Sequence, residues 1–581
     1  MLLSWLPVTL SVALVTADKA QRPFVALGAG SSPTSAEPHA DRLSRPLWRL
    51  EEPLDLPETT AYGSGGMDTA PRENLQVHHP VLVPQNGKRC TVQLVRHDFA
   101  NSYYQPAIVD YKPPRDCPSN DWAAVVLNLT VTSNGTQFDR LASLSLSHVE
   151  IWRTSTAEPT KAGIIWTYEK DVTRFSPLFA QPGQILLELN NIVNEQYTGI
   201  FSVQLSATFY AATPAFPAAR KADLILPLTT GKRRSSQMLS YPGDTRRALE
   251  PPMNTAEANF FPEAGLIGKG PYREVQVRID ETLVGVVQPF PVIYTGGANP
   301  LLWRPLASLR AFDIPSGYLD LTPFLPILGD GGKHEVLFSV LGEGEDNTVN
   351  ENWFITGAVH VVLDKAHPPL RTTGRILDYH FAPAPLIISA GFPSPDRTGL
   401  KTSVGVSRGF AIRSEVETGS GGKKIVSVVM NSKFDNVQDF EDKGLSQRVR
   451  QTIEYSYRST HDGRVRLQDA AEFPLDIATN YTLLAKEHRF SAKLRSYGYN
   501  RQLLLPAALC DSHCGKDGSS AATKSSQSGE AEITGRDGQR STGWGRMEER
   551  YSFVDSAGLV YREHVKAENG TVTKRNRSRW P

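Results

Sequence analysis

The chain has 581 residues, which at about 150 residues per domain allows three or four domains. Lys and Arg (62) balance Asp and Glu (61), leaving a net charge of +1, so there is no global basic field of the kind that holds nucleic acid. At 40% hydrophobic residues the chain can build large cores, and its 4 cysteines are too few for a miniature scaffold held by disulfides. The 45 glycines and 41 prolines make about 15% of the chain, above the usual roughly 12%, which predicts many turns or long linkers.

The chain opens on an uncharged apolar run, Leu2–Ala17, shorter than the roughly 20 residues a membrane span needs. Val15-Thr16-Ala17 fits a signal-peptidase site, although Met1-Leu2 supplies no basic flank. Residues 1–17 are expected to be a signal peptide, which implies a secreted or secretory-pathway (vacuolar lumen) protein with no membrane attachment after cleavage. Five sequons agree with that route, at Asn128, Asn134, Asn480, Asn569 and Asn576. Residues 18–76 are rich in Pro, Ala, Ser, Gly and charge, and read as a disordered linker or pro-region.

Residues 77–215 change character. Ala123–Val131 is an apolar run, and Phe201, Val203, Leu205, Ala207 and Phe209 alternate with Ser202, Gln204 and Ser206. That period of two predicts half-buried strands. Residues 216–255 read as a basic connector. A second alternating block spans 256–370, where Val275, Val277 and Ile279 oppose Gln276, Arg278 and Asp280. The region 371–581 repeats the pattern, with Ile453, Tyr455 and Tyr457 alternating with polar residues and a Ser/Gly/Lys-rich flexible loop expected over 515–545. Long amphipathic helices are absent from the pattern, so the chain reads as all-β, in sandwiches or jelly rolls.

Chemistry is sparse by motif. Four cysteines permit three pairings, and proximity favours Cys90–Cys117 and Cys510–Cys514. The second pair flanks Asp511 and His513, but a second metal-ligand pair is not evident, so a metal is not expected there. Carboxylates cluster instead: Asp139 beside Arg140, then Glu150, Glu158, Glu169 and Asp171, and farther on Glu343 to Glu351. Composition alone leaves these as solvated surface groups.

A set of motifs in fixed order changes that reading. They include Cys90-Thr-Val-Gln-Leu-Val-Arg-His-Asp-Phe-Ala-Asn-Ser-Tyr103, Tyr111-Lys-Pro-Pro-Arg-Asp-Cys117, Gln137-Phe-Asp-Arg140 and Ile151-Trp-Arg-Thr-Ser-Thr-Ala-Glu-Pro159. Lys170-Asp-Val-Thr173, Pro289-Phe-Pro-Val-Ile-Tyr-Thr-Gly-Gly297 and Asn299-Pro-Leu-Leu-Trp303 follow. Together they resemble the peptide-N-glycosidase A family, strongly over about 77–365 and weakly beyond. A more distant similarity to bacterial N-glycanases implies two adjacent jelly-roll β-sandwich domains, followed here by the C-terminal β-rich region. The resemblance assigns the key carboxylate to Asp139 and a second acid to Glu351, which stands one residue farther from Trp353 than the bacterial pattern has it. A third bacterial acid falls near Asn190–Ile192, where no carboxylate stands; its role is lost or moves to Asn191, Glu195 or Glu158.

The activity so implied is hydrolysis of the N4-(N-acetyl-β-glucosaminyl)asparagine amide of N-glycosylated peptides or glycoproteins. Asp139, Glu351 and Glu158 are the catalytic candidates. Arg140, Trp166, Asn191, Trp303 and Trp353 are the substrate-binding candidates, the tryptophans as sugar-stacking rings. Amide hydrolysis needs a general base or acid and stabilisation of an oxyanion, for which these residue types suffice. Two other functions stay open at this point: a catalytically inactive glycan-binding β-sandwich protein, because fold does not imply function, and a glycoside hydrolase, which also uses paired carboxylates.

Overall fold

The computed structural model describes residues 5–16, 71–117, 122–228, 239–242, 260–261, 270–343, 352–364, 372–382, 385–420, 422–484, 487–515, 517–536 and 539–580. For 5–16, 239–242, 352–354, 536, 539 and 540 it describes the backbone alone. The fold is all-β, and among the described residues no helix is long and apolar enough to cross a membrane.

Alternation builds the first unit. On the strand Phe201–Ala211, Phe201, Val203, Leu205, Ala207 and Phe209 are each at most 2% exposed. This strand pairs antiparallel with Trp122–Ser133 on one side and Arg89–Phe99 on the other. Ile164–Asp171 and the short parallel strand Arg72–Asn74 extend the sheet. A facing sheet orders Ala107–Tyr111, Gly183–Leu189, Leu141–Leu146 and Val149–Ser155. Their apolar faces enclose one core that includes Leu127, Trp166 and Leu187, as successive side chains must point to opposite sides of a pleated strand. The disulfide Cys90–Cys117 ties the edge strand to the loop before Trp122.

The second unit sets the sheet Thr282–Val287, Glu274–Ile279, Val336–Leu341 beside a sheet centred on Asn352–Leu363. Here the expected boundaries move. Leu224–Pro227 and Leu239–Pro242, both inside the expected connector, pair with Asn352–Leu363. The short strand Arg72–Asn74 likewise belongs to the first unit although it falls in the expected linker. Trp5–Thr16, read above as part of a leader, runs antiparallel between Asn352–Leu363 and Ser316–Asp320. A run of Val, Leu and Thr suits a strand as well as a leader, so its composition does not distinguish the two.

The C-terminal third is one antiparallel meander from Leu400–Thr418 to Thr571–Trp580, with Thr373–Phe381 and Leu386–Pro393 on its outer edge. The longest strand, Arg464–Leu484, has 21 residues. The loop expected over 515–545 is instead largely two paired strands, Ser519–Arg536 and Gln539–Asp555. A sheet wetted on one face needs apolar residues only at alternate positions, here Ala531, Ile533 and Met547. The neighbouring strands supply the backbone partners, and low apolar content does not report those.

This sheet lies against both jelly rolls. Arg408 on it forms a buried pair with Glu274 (3.0 Å), and the Cys510–Cys514 loop reaches the first unit. There Asp511 pairs with Arg174 at 2.5 Å and Ser512 N donates to Asp171 Oδ2 at 2.8 Å. Burial, reinforced by Asp511, pushes Asp171 up to about 6. Glu549, fully enclosed on the same sheet, accepts from Gln527 Nε2 (2.8 Å) and Ser525 Oγ (3.0 Å), yet burial pushes it up to about 8.

A carboxyl whose folded pKa is raised binds its proton more tightly folded than unfolded. Its contribution is therefore full below the unfolded value of 4.5 and is lost as pH rises through about 8. Glu549→Gln is expected to raise the thermal midpoint at pH 8 by about 2–4 °C and to leave it nearly unchanged at pH 4.5; calorimetry at the two pH values checks this.

Candidate active site

Asp139 stands in the loop that leads into Leu141–Leu146, and its neighbours hold that loop rigidly. Gln137 Nε2 donates to the carbonyls of Ile192 (2.8 Å) and Gly199 (3.3 Å), while its Oε1 accepts from Arg140 Nη2 (2.5 Å). Arg140 N donates to Thr156 Oγ1, and Thr156 N donates back to Arg140 O, each at 2.8 Å. Asp139 is thereby fixed at 3% exposure.

Its partner comes from the second jelly roll. Gly296 N donates to Asp139 Oδ2 at 2.7 Å. Gly296 lies in a turn closed by Gly297 N to Tyr294 O (2.8 Å) and anchored across the seam by Thr295 Oγ1 to Thr156 O (2.9 Å). A side-chain carbon at Gly296 would collide with Glu158 Oε1 and stand 3.2 Å from Asp139 Oδ2. The two carboxyl groups therefore converge on one glycine. Only a residue without Cβ permits that approach. Arg304, which follows the 3-10 turn Pro300–Trp303, places Nη2 3.9 Å from Glu158 Oε2 and 3.4 Å from Pro159 O. Burial drives the Arg304 guanidinium down in pKa and Glu158 opposes that shift.

A backbone seam keeps the halves together. The edge strand Val149–Ser155 receives segment 308–314 of the second unit: Ser155 N donates to Ala311 O (2.8 Å) and Ile314 N to Arg153 O (3.1 Å). Trp152 Nε1 donates to Phe312 O (3.0 Å). Phe312 is fully buried in the first unit's core, its ring 5.6 Å from that of Trp166; such a ring contributes about 1.5–3 kcal/mol. Asp313 pairs with Lys170 and with Arg310 (2.7 Å). Burial raises the Asp313 pKa, but the two cations outweigh it and hold the carboxyl well below its usual range.

Of the residues singled out in the sequence, Asp139 and Glu158 are brought together. Glu351 lies outside the described residues. Trp353 is described by backbone alone, on Asn352–Leu363. The four other expected substrate contacts are enclosed. Trp166 and Trp303 are 1% exposed, and a ring with no open face cannot stack on a sugar. Trp303 instead donates Nε1 to Gly297 O at 2.7 Å. Asn191 is fully buried, its Nδ2 bonded to Phe99 O (2.9 Å) and Gly199 O (3.0 Å). Arg140 is 3% exposed with Nε and Nη1 enclosed, so it buttresses the Asp139 loop rather than meeting substrate.

Glu195 sits exposed at a turn. Asn134, Asn480, Asn569 and Asn576 are exposed, whereas Asn128 is half-buried in mid-strand, 3.4 Å from Glu169 Oε1. Gly296 and Arg304 were not singled out, although both adjoin or lie in the quoted motifs. A doubled glycine next to a short Pro-containing turn is the signal that marks a close backbone approach. Glu188, 4% exposed and opposite Ser143, was also missed; its Oε1 accepts from Asn190 Nδ2 at 3.3 Å.

The family described as peptide N-acetyl-β-D-glucosaminyl asparaginase amidase A matches residues 80–261 and 252–379, and its C-terminal domain matches 401–475. The chain belongs to this family. It is 32% identical over 428 residues to the peptide-N4-(N-acetyl-β-glucosaminyl)asparagine amidase A of Prunus dulcis, covering 66% of this chain and 72% of that one. Among solved structures, PNGase F, a glycosylasparaginase from Flavobacterium meningosepticum, aligns at 12% identity and TM-score 0.30 over 48% of this chain and 96% of its own. PNGF-II aligns at 11% identity and TM-score 0.31 over 48% and 66%. As a member of the amidase A family the chain is an N-glycan amidase, a hydrolase.

Gly296→Ala tests the convergence. Its methyl group must push Glu158 and Asp139 apart, so kcat on a glycopeptide is expected to fall about 100-fold while the circular dichroism spectrum stays that of the parent.

Proposed function

We propose that the site between the jelly rolls hydrolyses the amide joining N-acetylglucosamine to asparagine, with Asp139 as the acid–base group and Glu158 as its partner. The observation that carries this reading is the meeting of the two carboxyl groups over Gly296, at the seam of two rigidly joined sandwiches.

The chemistry follows from the residue types. Asp139, oriented by the Gly296 N–H, takes a proton from water as the oxygen attacks the amide carbonyl. The tetrahedral intermediate carries negative charge on the carbonyl oxygen, and the Arg304 guanidinium beside Glu158 offsets it. Asp139 then returns the proton to the nitrogen as the C–N bond breaks. The products are a peptide with aspartate in place of asparagine and a 1-amino-oligosaccharide, which loses ammonia in water. Glu158 and Arg304, with side chains 10% and 14% exposed, form the more open wall of the site and hold the incoming amide. The proposed setting is the secretory lumen, supported by the pairing of all four cysteines.

Asp139→Asn keeps size and shape but cannot exchange a proton. Loss of a general acid–base group costs about 100- to 10,000-fold, so this variant should release almost no glycan while still binding glycopeptide. Glu158→Gln should lose less in kcat and more in KM. Mass spectrometry of the peptide product decides the reaction class. Conversion of asparagine to aspartate is expected; N-acetylglucosamine left on asparagine would identify a glycoside hydrolase, and unchanged glycopeptide a binding protein.

A further inference from the structure

The two groups that the second jelly roll gives to the site, Gly296 N–H and the Arg304 guanidinium, belong to one short segment, 290–305. The far side of that segment lies on the C-terminal sheet. The Tyr497 hydroxyl of the sheet donates to Pro291 O (2.8 Å) and accepts from Ile293 N (3.2 Å). Phe290 stacks on the Tyr497 ring at 5.6 Å. Asn299, fully buried, caps the Pro300–Trp303 turn through Oδ1 to Leu301 N (3.0 Å) and donates Nδ2 to Phe490 O of the sheet (3.2 Å). Trp303 closes the segment on itself through Gly297 O and meets Tyr497 edge-on at 6.5 Å.

The sheet is shaped to receive this turn. At Gly545 a side-chain carbon would collide with the Leu301 carbonyl oxygen, and at Gly543 it would come within 2.6 Å of Leu301 Cδ1. The Gly545 N–H is taken up by Asn569 Oδ1 (3.2 Å), and Asn569 N donates to Gly545 O (2.8 Å). Two glycines in one strand interior weaken a sheet and persist where another backbone must lie close.

We infer that the C-terminal sheet is part of the catalytic architecture: Tyr497, Asn299 and Gly545 are positioning residues that set the Gly296 N–H and the Arg304 guanidinium against Asp139 and Glu158. This rests on the site reading above. The physical reason is precision. Segment 290–305 has no regular strand of its own, and a loop holds a donor to within a fraction of an ångström only when packed on something rigid. Displacements of that size cost large factors in rate.

The test compares Tyr497→Phe, Gly545→Ala and Asp139→Asn in the full-length protein, by glycopeptide kinetics, the pH dependence of kcat, and amide hydrogen exchange over 296–304. Tyr497→Phe deletes one buried hydroxyl. It is expected to lower kcat about ten- to a hundredfold with KM little changed, to move the acidic limb of the pH profile because Arg304 no longer stands against Glu158, and to speed exchange at the Gly296 and Gly297 amides. Gly545→Ala should do the same; if it fails to fold, Tyr497→Phe alone decides. Parental kcat and parental pH limb in Tyr497→Phe overturn the inference, as does lower thermal stability with unchanged activity per folded molecule. If Asp139→Asn is inactive while both other variants match the parent, this inference alone falls. If Asp139→Asn retains activity, the site reading falls and takes the inference with it.

Discussion

The seam between the strand Val149–Ser155 and segment 308–314 is the contact on which the site depends. An edge strand offers a row of unpaired N–H and C=O groups, which must be met by water or by another chain segment. Here the second jelly roll supplies that segment through its backbone, and Phe312 enters the first core beside Trp166. Backbone bonds fix register, and a fully buried ring fixes depth. With both set, Thr295 reaches Thr156 and Gly296 reaches Asp139. The contact between Asp139 and Gly296 is thus assembled by the docking of two sandwiches rather than by either one alone.

The same seam carries paired charge. Arg153 pairs with Glu150, whose Oε2 accepts from Thr356 Oγ1 at 3.0 Å across the seam. Lys170 and Arg310 surround Asp313. Removing one partner from the buried Arg153–Glu150 pair costs about 3–5 kcal/mol. These networks make the docked geometry specific, since a slipped register would leave enclosed charges unpaired. Arg140 and Asn191 have the same structural character close to the site: each is enclosed and bonded to the loops that frame Asp139.

The large C-terminal sheet adds a third constraint. One face lies in water and the other supports both jelly rolls, so Leu400–Thr418, Gly422–Glu441 and Ser446–His461 alternate between buried and more open positions over most of their length. Among its enclosed groups, Glu549, pushed up to about 8 by burial, is neutral through the mildly acidic range. Mild acid therefore leaves Glu549 uncharged.

Some of this was legible in the sequence and some was not, for a physical reason that differs case by case. The all-β fold, the strand Phe201–Ala211 and the strand around Ile453–Tyr457 follow from a period of two, which is a local property of the chain. The two cysteine pairs follow from sequence proximity, and the family resemblance drew attention to Asp139 and Glu158, which the fold brings together. The expected loop over 515–545 was misjudged because strand pairing is supplied by neighbours and leaves no trace in composition. The stacking roles of Trp166 and Trp303 failed because a tryptophan's identity does not reveal which side of a sheet it faces. Gly296 and Arg304 escaped notice because what sets them apart is geometric: a missing Cβ and a guanidinium stand out only once Glu158, some 140 residues away in the chain, has been folded against them. Residue chemistry and periodicity are written locally; which groups meet across a domain seam is decided by packing and exists only in the folded chain.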